Sequence, residues 1–256
     1  MKRGLFVLYG LGNYALFFLV FAYLFLFVGN LPPASKTIDS GVSGPLGLAV
    51  AVNSLLILLF GLQHSVMARP AFKRWWTKFV PQPIERSTYV LASCVVTVVL
   101  IAFWQPINIV LWDVPAGAGR VALWGLFIAG WLLVPLASLM INHFDLFGLR
   151  QVWLHWRGEE ITPLAFRTPW MYAKVRHPLY IGWAIAFWAT PTMTLGHLLF
   201  AVGLTVYMLI AVQFEERDLV AHFGDQYTTY RERVGMFVPR WTKSKPVREK
   251  VAAHHP

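Results

Sequence analysis

The sequence predicts an all-α integral membrane protein: four transmembrane helices, then a C-terminal helical hairpin and a cytoplasmic amphipathic tail. Three observations predict it. Of the 256 residues, 57% are hydrophobic and only 13% charged, about half the charged share of an ordinary soluble domain. The apolar residues are gathered into blocks of membrane-crossing length. The basic residues fall almost entirely into alternate connections, as they do in chains that thread a bilayer.

A helix needs about 20 mostly apolar residues to cross the hydrocarbon layer. Leu5–Val28, Pro45–Met67, Ser87–Trp104 (extendable to Leu111) and Val121–Ile141 meet that need. Lys2 and Arg3 precede the first block, which is longer than the apolar part of a secretory signal and has no small-residue cleavage pattern after it. It is expected to be a retained span. The region Leu179–Phe214 is too long for one straight span and is interrupted at Pro191 and Leu195-Gly196. It is expected to form a hairpin with a short arm Leu179–Thr190, a turn over Pro191–Gly196 and a long arm His197–Phe214. Glu215–Phe223 can carry the long arm out of the membrane until Gly224 stops it. Asp225 is expected to cap a short amphipathic helix through Val234. Trp241 and the basic residues around it suit the interface, and residues 249–256 are expected to be disordered.

All but Lys36 and Arg120 of the 22 basic residues lie before the first span, after the second, after the fourth or in the tail. The positive-inside rule then places both termini and the large loops in the cytoplasm. The net charge of +10 is therefore a topology signal and not a nucleic-acid footprint, since no soluble module concentrates it. The single cysteine, Cys94, lies within an apolar block and excludes an internal disulfide or a cysteine-based metal cluster. No histidine pair has metal-ligand spacing, and no obligate protein partner is evident.

Polar residues gather at the cytoplasmic span ends: Gln63 and His64; Asn142, His143 and Asp145; Arg176, His177 and Tyr180; Glu215, Glu216 and Asp218. Ionisable groups at that depth are costly unless paired or functional, and four segments delivering them to one level point to a shared site. The strongest local pattern is Arg176-His177-Pro178-Leu179-Tyr180-x-Gly182, with Glu215-Glu216 one hairpin later. Pro178 suits a first helical turn. A hairpin brings Tyr180 and the glutamates together, and a carboxylate there suits a hydroxylated or cationic ligand.

These residues, with Phe223-Gly224-x-x-Tyr227-x-x-Tyr230 and Val238-Pro239, resemble the C-terminal half of the isoprenylcysteine carboxyl methyltransferase and phospholipid methyltransferase superfamily. The resemblance covers 164–239, under a third of the chain, and implies a cofactor-binding half there beside a four-helix part over 5–141, within one membrane domain, 1–256. It implies S-adenosyl-L-methionine as cofactor, held by Tyr172, His177, Pro178, Leu179, Tyr180, Glu215 and Glu216. Side chains at Leu164–Arg167 do not match the segment those enzymes use, and Ala211 stands near the place of an arginine they carry. That departure argues against a carboxylate-bearing substrate. Gln63-His64-Ser65-Val66-Met67-Ala68-Arg69-Pro70 and Asn142-His143-Phe144-Asp145-Leu146-Phe147-Gly148-Leu149-Arg150-Gln151-Val152 resemble the methanethiol S-methyltransferases, and the first of them, more loosely, the NnrU-like membrane proteins.

The resemblance implies methylation of a small thiol, methanethiol to dimethyl sulfide, at the cytoplasmic face, with membrane lipid as the surrounding partner. The alternatives are methylation of an isoprenylcysteine or phospholipid, or a non-enzymatic NnrU-like role. A thiolate is the better nucleophile, and a cysteine-like thiol has a reference pKa near ~8.5, so a base is expected. His143 and His64 are the candidates. Asp145 is expected to orient His143 in a non-helical turn, or else to serve His64 or pair with Arg150. His155, His197 and His222 read as loop, turn or tail residues.

Overall fold

The computed structural model describes residues 2–240; the expectations for Trp241 and for 249–256 lie outside them. Helix α1 (Lys2–Gly29) and α2 (Leu46–Ala68) are followed by a short helix, α3 (Pro70–Trp76), and by α4 (Gln82–Phe103). Gln105 and Pro106 close α4, because a residue before proline is pushed out of the helical region. The chain then enters a strand, β1 (Val110–Asp113), and returns through α5 (Ala118–Ile141). Two short helices follow, α6 (His143–Leu146) and α7 (Leu149–Arg157). The hairpin consists of α8 (Pro178–Trp188), a strand β2 (Thr192–Thr194) and α9 (Leu195–Phe223), and α10 (Asp225–Arg233) ends the order. Of these, α1, α2, α4, α5 and α9 are long and apolar enough to cross a membrane, while α8 is shorter. The protein is thus built as an integral membrane protein.

The all-α class stands, but the hairpin turn is not a bare loop: β1 and β2 pair antiparallel, with Val110 opposite Thr194 and Asp113 opposite Thr192. The turn of a membrane hairpin cannot leave its amides bare. Besides the ribbon, Leu195 and Gly196 N–H donate to the carbonyls of Ile109 and Ile107. Asp225, expected to cap α10, does not. Gly224 holds that position at φ 57°, and Asp225 lies in the first turn, where its charge suits the helix N-terminus.

Between helices in lipid there is little hydrophobic driving force, so close packing and small residues hold the bundle. The closest backbone approach is between α5 and α8. A Cβ at Gly130 would stand 2.6 Å from the Ala186 nitrogen, and one at Gly182 3.1 Å from the Gly130 oxygen. Against this pair α1 lays Phe21, whose ring centroid is 5.1 Å from Trp131 of α5 and 5.8 Å from Trp183 of α8. Tyr207 of α9 fits over Gly61 of α2.

The two ends of the bundle differ. At one, the α1–α2 connection meets the hairpin tip through Asp39, which accepts hydrogen bonds from Asn30 Nδ2 at 2.6 Å and Thr194 Oγ1 at 2.5 Å. His197, expected in a turn, is fully buried in the first turn of α9 and bonds through Nε2 to the Phe187 carbonyl at 3.0 Å. The other end carries α3, α6, α7, α10 and the clustered polar residues.

Candidate active site

Pro178 opens α8 with His177 as its N-cap, which leaves Arg176 and His177 just ahead of the helix. Their backbone bonds the segment after α10: Arg176 N–H donates to the Gly235 carbonyl at 2.9 Å and His177 N–H to that of Met236 at 3.1 Å. The chain after α10 is thereby strapped across the start of the hairpin. Phe237 on this strap lies 6.1 Å from the His177 ring.

The two adjacent glutamates near the end of α9 have separate tasks. Glu216 is buried, and its Oε1 accepts from Arg176 Nε at 2.6 Å and from His177 Nε2 at 3.0 Å. Arg176 also donates through Nη1 to the Arg231 and Val234 carbonyls. One buried guanidinium thus ties α9, α10 and the hairpin start together. Removing one partner of such a pair costs about 3–5 kcal/mol, because the other charge is left buried. Glu215 instead keeps a side chain 43% exposed. Its Oε2 accepts from the Tyr180 hydroxyl at 2.8 Å, which leaves lone pairs free for a ligand.

Tyr172 sits in a 3-10 turn, Trp170–Ala173. Its hydroxyl donates to the Ala137 carbonyl near the end of α5 at 3.4 Å, and its own carbonyl accepts from Tyr230. Burial pushes the Tyr172 phenol well up, and the Tyr230 phenol to about 12, so both stay protonated donors. Leu179 is half-buried and Pro178 buried at the head of α8. From Tyr180 and Phe237 an apolar groove of about 350 Å³ runs between α8 and α9, with Ala184 and Met208 among its walls.

The candidate bases occupy different surroundings. His143, 5% exposed, has both ring nitrogens engaged: Nε2 with the Tyr14 hydroxyl at 2.7 Å and Nδ1 with Ser138 Oγ at 2.8 Å. Its burial holds the imidazole below the usual 6.5. Asp145 does not orient it. The Asp145 Oδ1 accepts from Arg150 Nη1 at 3.2 Å and from Gln151 Nε2 at 3.1 Å, so the expected dyad is absent; the helical turn of α6 points the two side chains apart. His64 is half-buried near the end of α2. Phe60 stacks on it at 5.3 Å, with the Tyr89 ring at 5.3 Å and the Tyr207 ring at 6.4 Å. Its Nδ1 meets Ser93 Oγ at 3.3 Å.

Comparison with known proteins decides the family. Methanethiol S-methyltransferase of Mycobacterium tuberculosis is 53% identical over 93% of this chain and 98% of its own length. Methanethiol S-methyltransferase 2 of Bradyrhizobium diazoefficiens is 52% identical over 91% of the chain and 90% of its length. The chain belongs to the methanethiol S-methyltransferase family. A more distant relative is Nurim of Sus scrofa, 31% identical over 64% of the chain and 65% of its length. No family model and no solved structure matches the chain.

For a methanethiol S-methyltransferase family member, the fold gathers Tyr172, His177, Pro178, Tyr180, Glu215 and Glu216 at one end of the bundle, and commits the Asp145 carboxylate to Arg150 and Gln151. Sequence reasoning missed Tyr14, Ser93 and Ser138, and gave no partner to Arg176. The two serines had a signal, being polar residues inside apolar spans. Tyr14 had little, standing in the middle of the first apolar block among other aromatic residues.

Proposed function

We propose that the protein methylates methanethiol to dimethyl sulfide, with S-adenosyl-L-methionine as methyl donor, at the cytoplasmic face of the bacterial inner membrane. The observation that carries this reading is the division of labour between the glutamates. Glu216 is spent inside the fold, while Glu215, oriented by Tyr180, offers free carboxylate lone pairs beside an apolar groove. That donor set fits S-adenosyl-L-methionine: Glu215 would accept from its hydroxyls and offset its positive charge, and Pro178, Leu179 and Tyr180 would flank it. Held there, the cofactor supplies an electrophilic methyl group on a sulfonium sulfur. The protein's own part is positioning and removal of the thiol proton by an imidazole. Membership of the family supports the substrate, and the lack of an arginine near Ala211 supports a substrate without a carboxylate. The distribution of Lys and Arg supports cytoplasmic termini, which would open the site to a soluble cofactor while the apolar thiol arrives through lipid.

The test uses the purified chain in detergent, methyl-labelled S-adenosyl-L-methionine, and in turn methanethiol, a prenylated cysteine or phospholipid. Label is expected in the volatile fraction with methanethiol, and Glu215→Gln is expected to weaken cofactor binding by calorimetry. Label only in prenylcysteine or lipid would overturn the substrate, and absence of cofactor binding would overturn the reaction.

A further inference from the structure

Two serines decide how the two histidines hold their protons. Ser93 donates its only hydroxyl proton to the Tyr89 carbonyl one turn back, at 2.9 Å. Its oxygen can then only accept, from His64 Nδ1 at 3.3 Å and from Gln63 Nε2 at 3.4 Å. The carbonyl contact is the shorter, so the proton belongs there. Ser138 repeats the arrangement: it donates to the Pro135 carbonyl at 2.8 Å and so accepts from His143 Nδ1 at 2.8 Å. In both rings Nδ1 carries the hydrogen and Nε2 carries the lone pair. The rings then differ. His143 Nε2 is capped by the Tyr14 hydroxyl. Among the described residues, no hydrogen bond reaches His64 Nε2, and it is not among the sealed buried atoms.

We infer that Ser93 is a positioning residue that fixes His64 in the Nδ1–H form, so that Nε2 is the base receiving the thiol proton. The inference rests on the thiol-methylation reading. In the step, the S–H proton passes to Nε2 while the thiol sulfur forms a bond to the methyl carbon. The old carbon–sulfur bond breaks, and its electron pair stays on the departing sulfur. An imidazolium and two neutral thioethers result, so the single positive charge is conserved. Phe60, Tyr89 and Tyr207 surround the ring with apolar faces that suit a small thiol and the sulfide it becomes, since sulfur packs favourably against aromatic rings.

The test combines ¹⁵N spectra of histidine-labelled full-length protein with steady-state kinetics on methanethiol. Wild type is expected to show His64 protonated on Nδ1 only. Ser93→Ala is expected to lose that fixed form and to lower kcat about three- to tenfold, the worth of one neutral hydrogen bond, with cofactor affinity unchanged. Ser93→Thr is expected to restore both. Threonines 88 and 97 of α4 already donate to the carbonyl four residues back at 2.8 Å, so the replacement keeps the geometry. A proton on His64 Nε2 in wild type overturns the inference even if Ser93→Ala fails to fold, as does a Ser93→Ala protein with unchanged spectrum and kcat. A wild type that makes no dimethyl sulfide removes the function instead, and the spectra still decide what Ser93 does.

Discussion

A histidine acts as a base only if a lone pair is exposed to the proton it takes, and in this chain that condition separates His64 from His143. His64→Ala is expected to lower kcat by about 10²–10⁴-fold, the usual contribution of a positioned base, while calorimetry finds cofactor affinity retained. His143 joins α1, α5 and α6 through Tyr14 and Ser138, so its substitution is expected to register in stability. Its pH dependence follows from its burial. The imidazole is held below 6.5 in the fold, so as pH falls through 6.5 the unfolded chain takes up the proton first. The stability due to neutral His143 is full above that value and declines below it. Thermal unfolding in detergent should show a loss on acidification that shrinks in His143→Asn. An unchanged loss would mean that other groups carry it. Both histidines were legible as polar residues at span ends, but their partners were not. Spacing places His143 and Asp145 two residues apart; it does not say that Arg150 and Gln151 claim the carboxylate or that Tyr14, far away in sequence, claims the imidazole.

At the scale of elements, the site depends on how closely α8 can approach α5. Tyr180 is on the first turn of α8, and the Gly130–Gly182 crossing is what sets the position of that helix. Gly130→Ala places a methyl against the Ala186 backbone, which cannot give way as a side-chain tip could. It is expected to cost about 1–3 kcal/mol, as overpacking does. The measurable result is a lower Tm together with weaker cofactor binding, because Tyr180 moves with the helix. An unaltered Tm would show that the helices can slide apart freely. The long helices were legible because length and apolar content alone define them. The β1–β2 ribbon was not, because a strand of three or four residues has no period to detect and forms only when the hairpin tip meets the α4–α5 connection. Helices α3, α6 and α7 were likewise hidden in loops whose basic residues were read only as a topology signal.

For the whole molecule, orientation and chemistry stand together: a site that binds a soluble cofactor must open to the compartment that supplies it. The end carrying α3 and α10 is therefore expected to face the cytoplasm. Cys94 is buried, so single cysteines introduced elsewhere report topology cleanly. In intact cells a membrane-impermeant maleimide is expected to label Ala116→Cys, between β1 and α5, and to spare Lys78→Cys, beyond α3. The reverse pattern would invert the protein and close its site to the cytoplasm. The central claim, that this membrane protein moves a methyl group from S-adenosyl-L-methionine to methanethiol, is tested most directly by headspace mass spectrometry. The purified protein receives methanethiol and S-adenosyl-L-methionine deuterated in its methyl group. Dimethyl sulfide carrying one deuterated methyl is the predicted product; dimethyl sulfide without the label, or none above a no-protein control, would contradict the account.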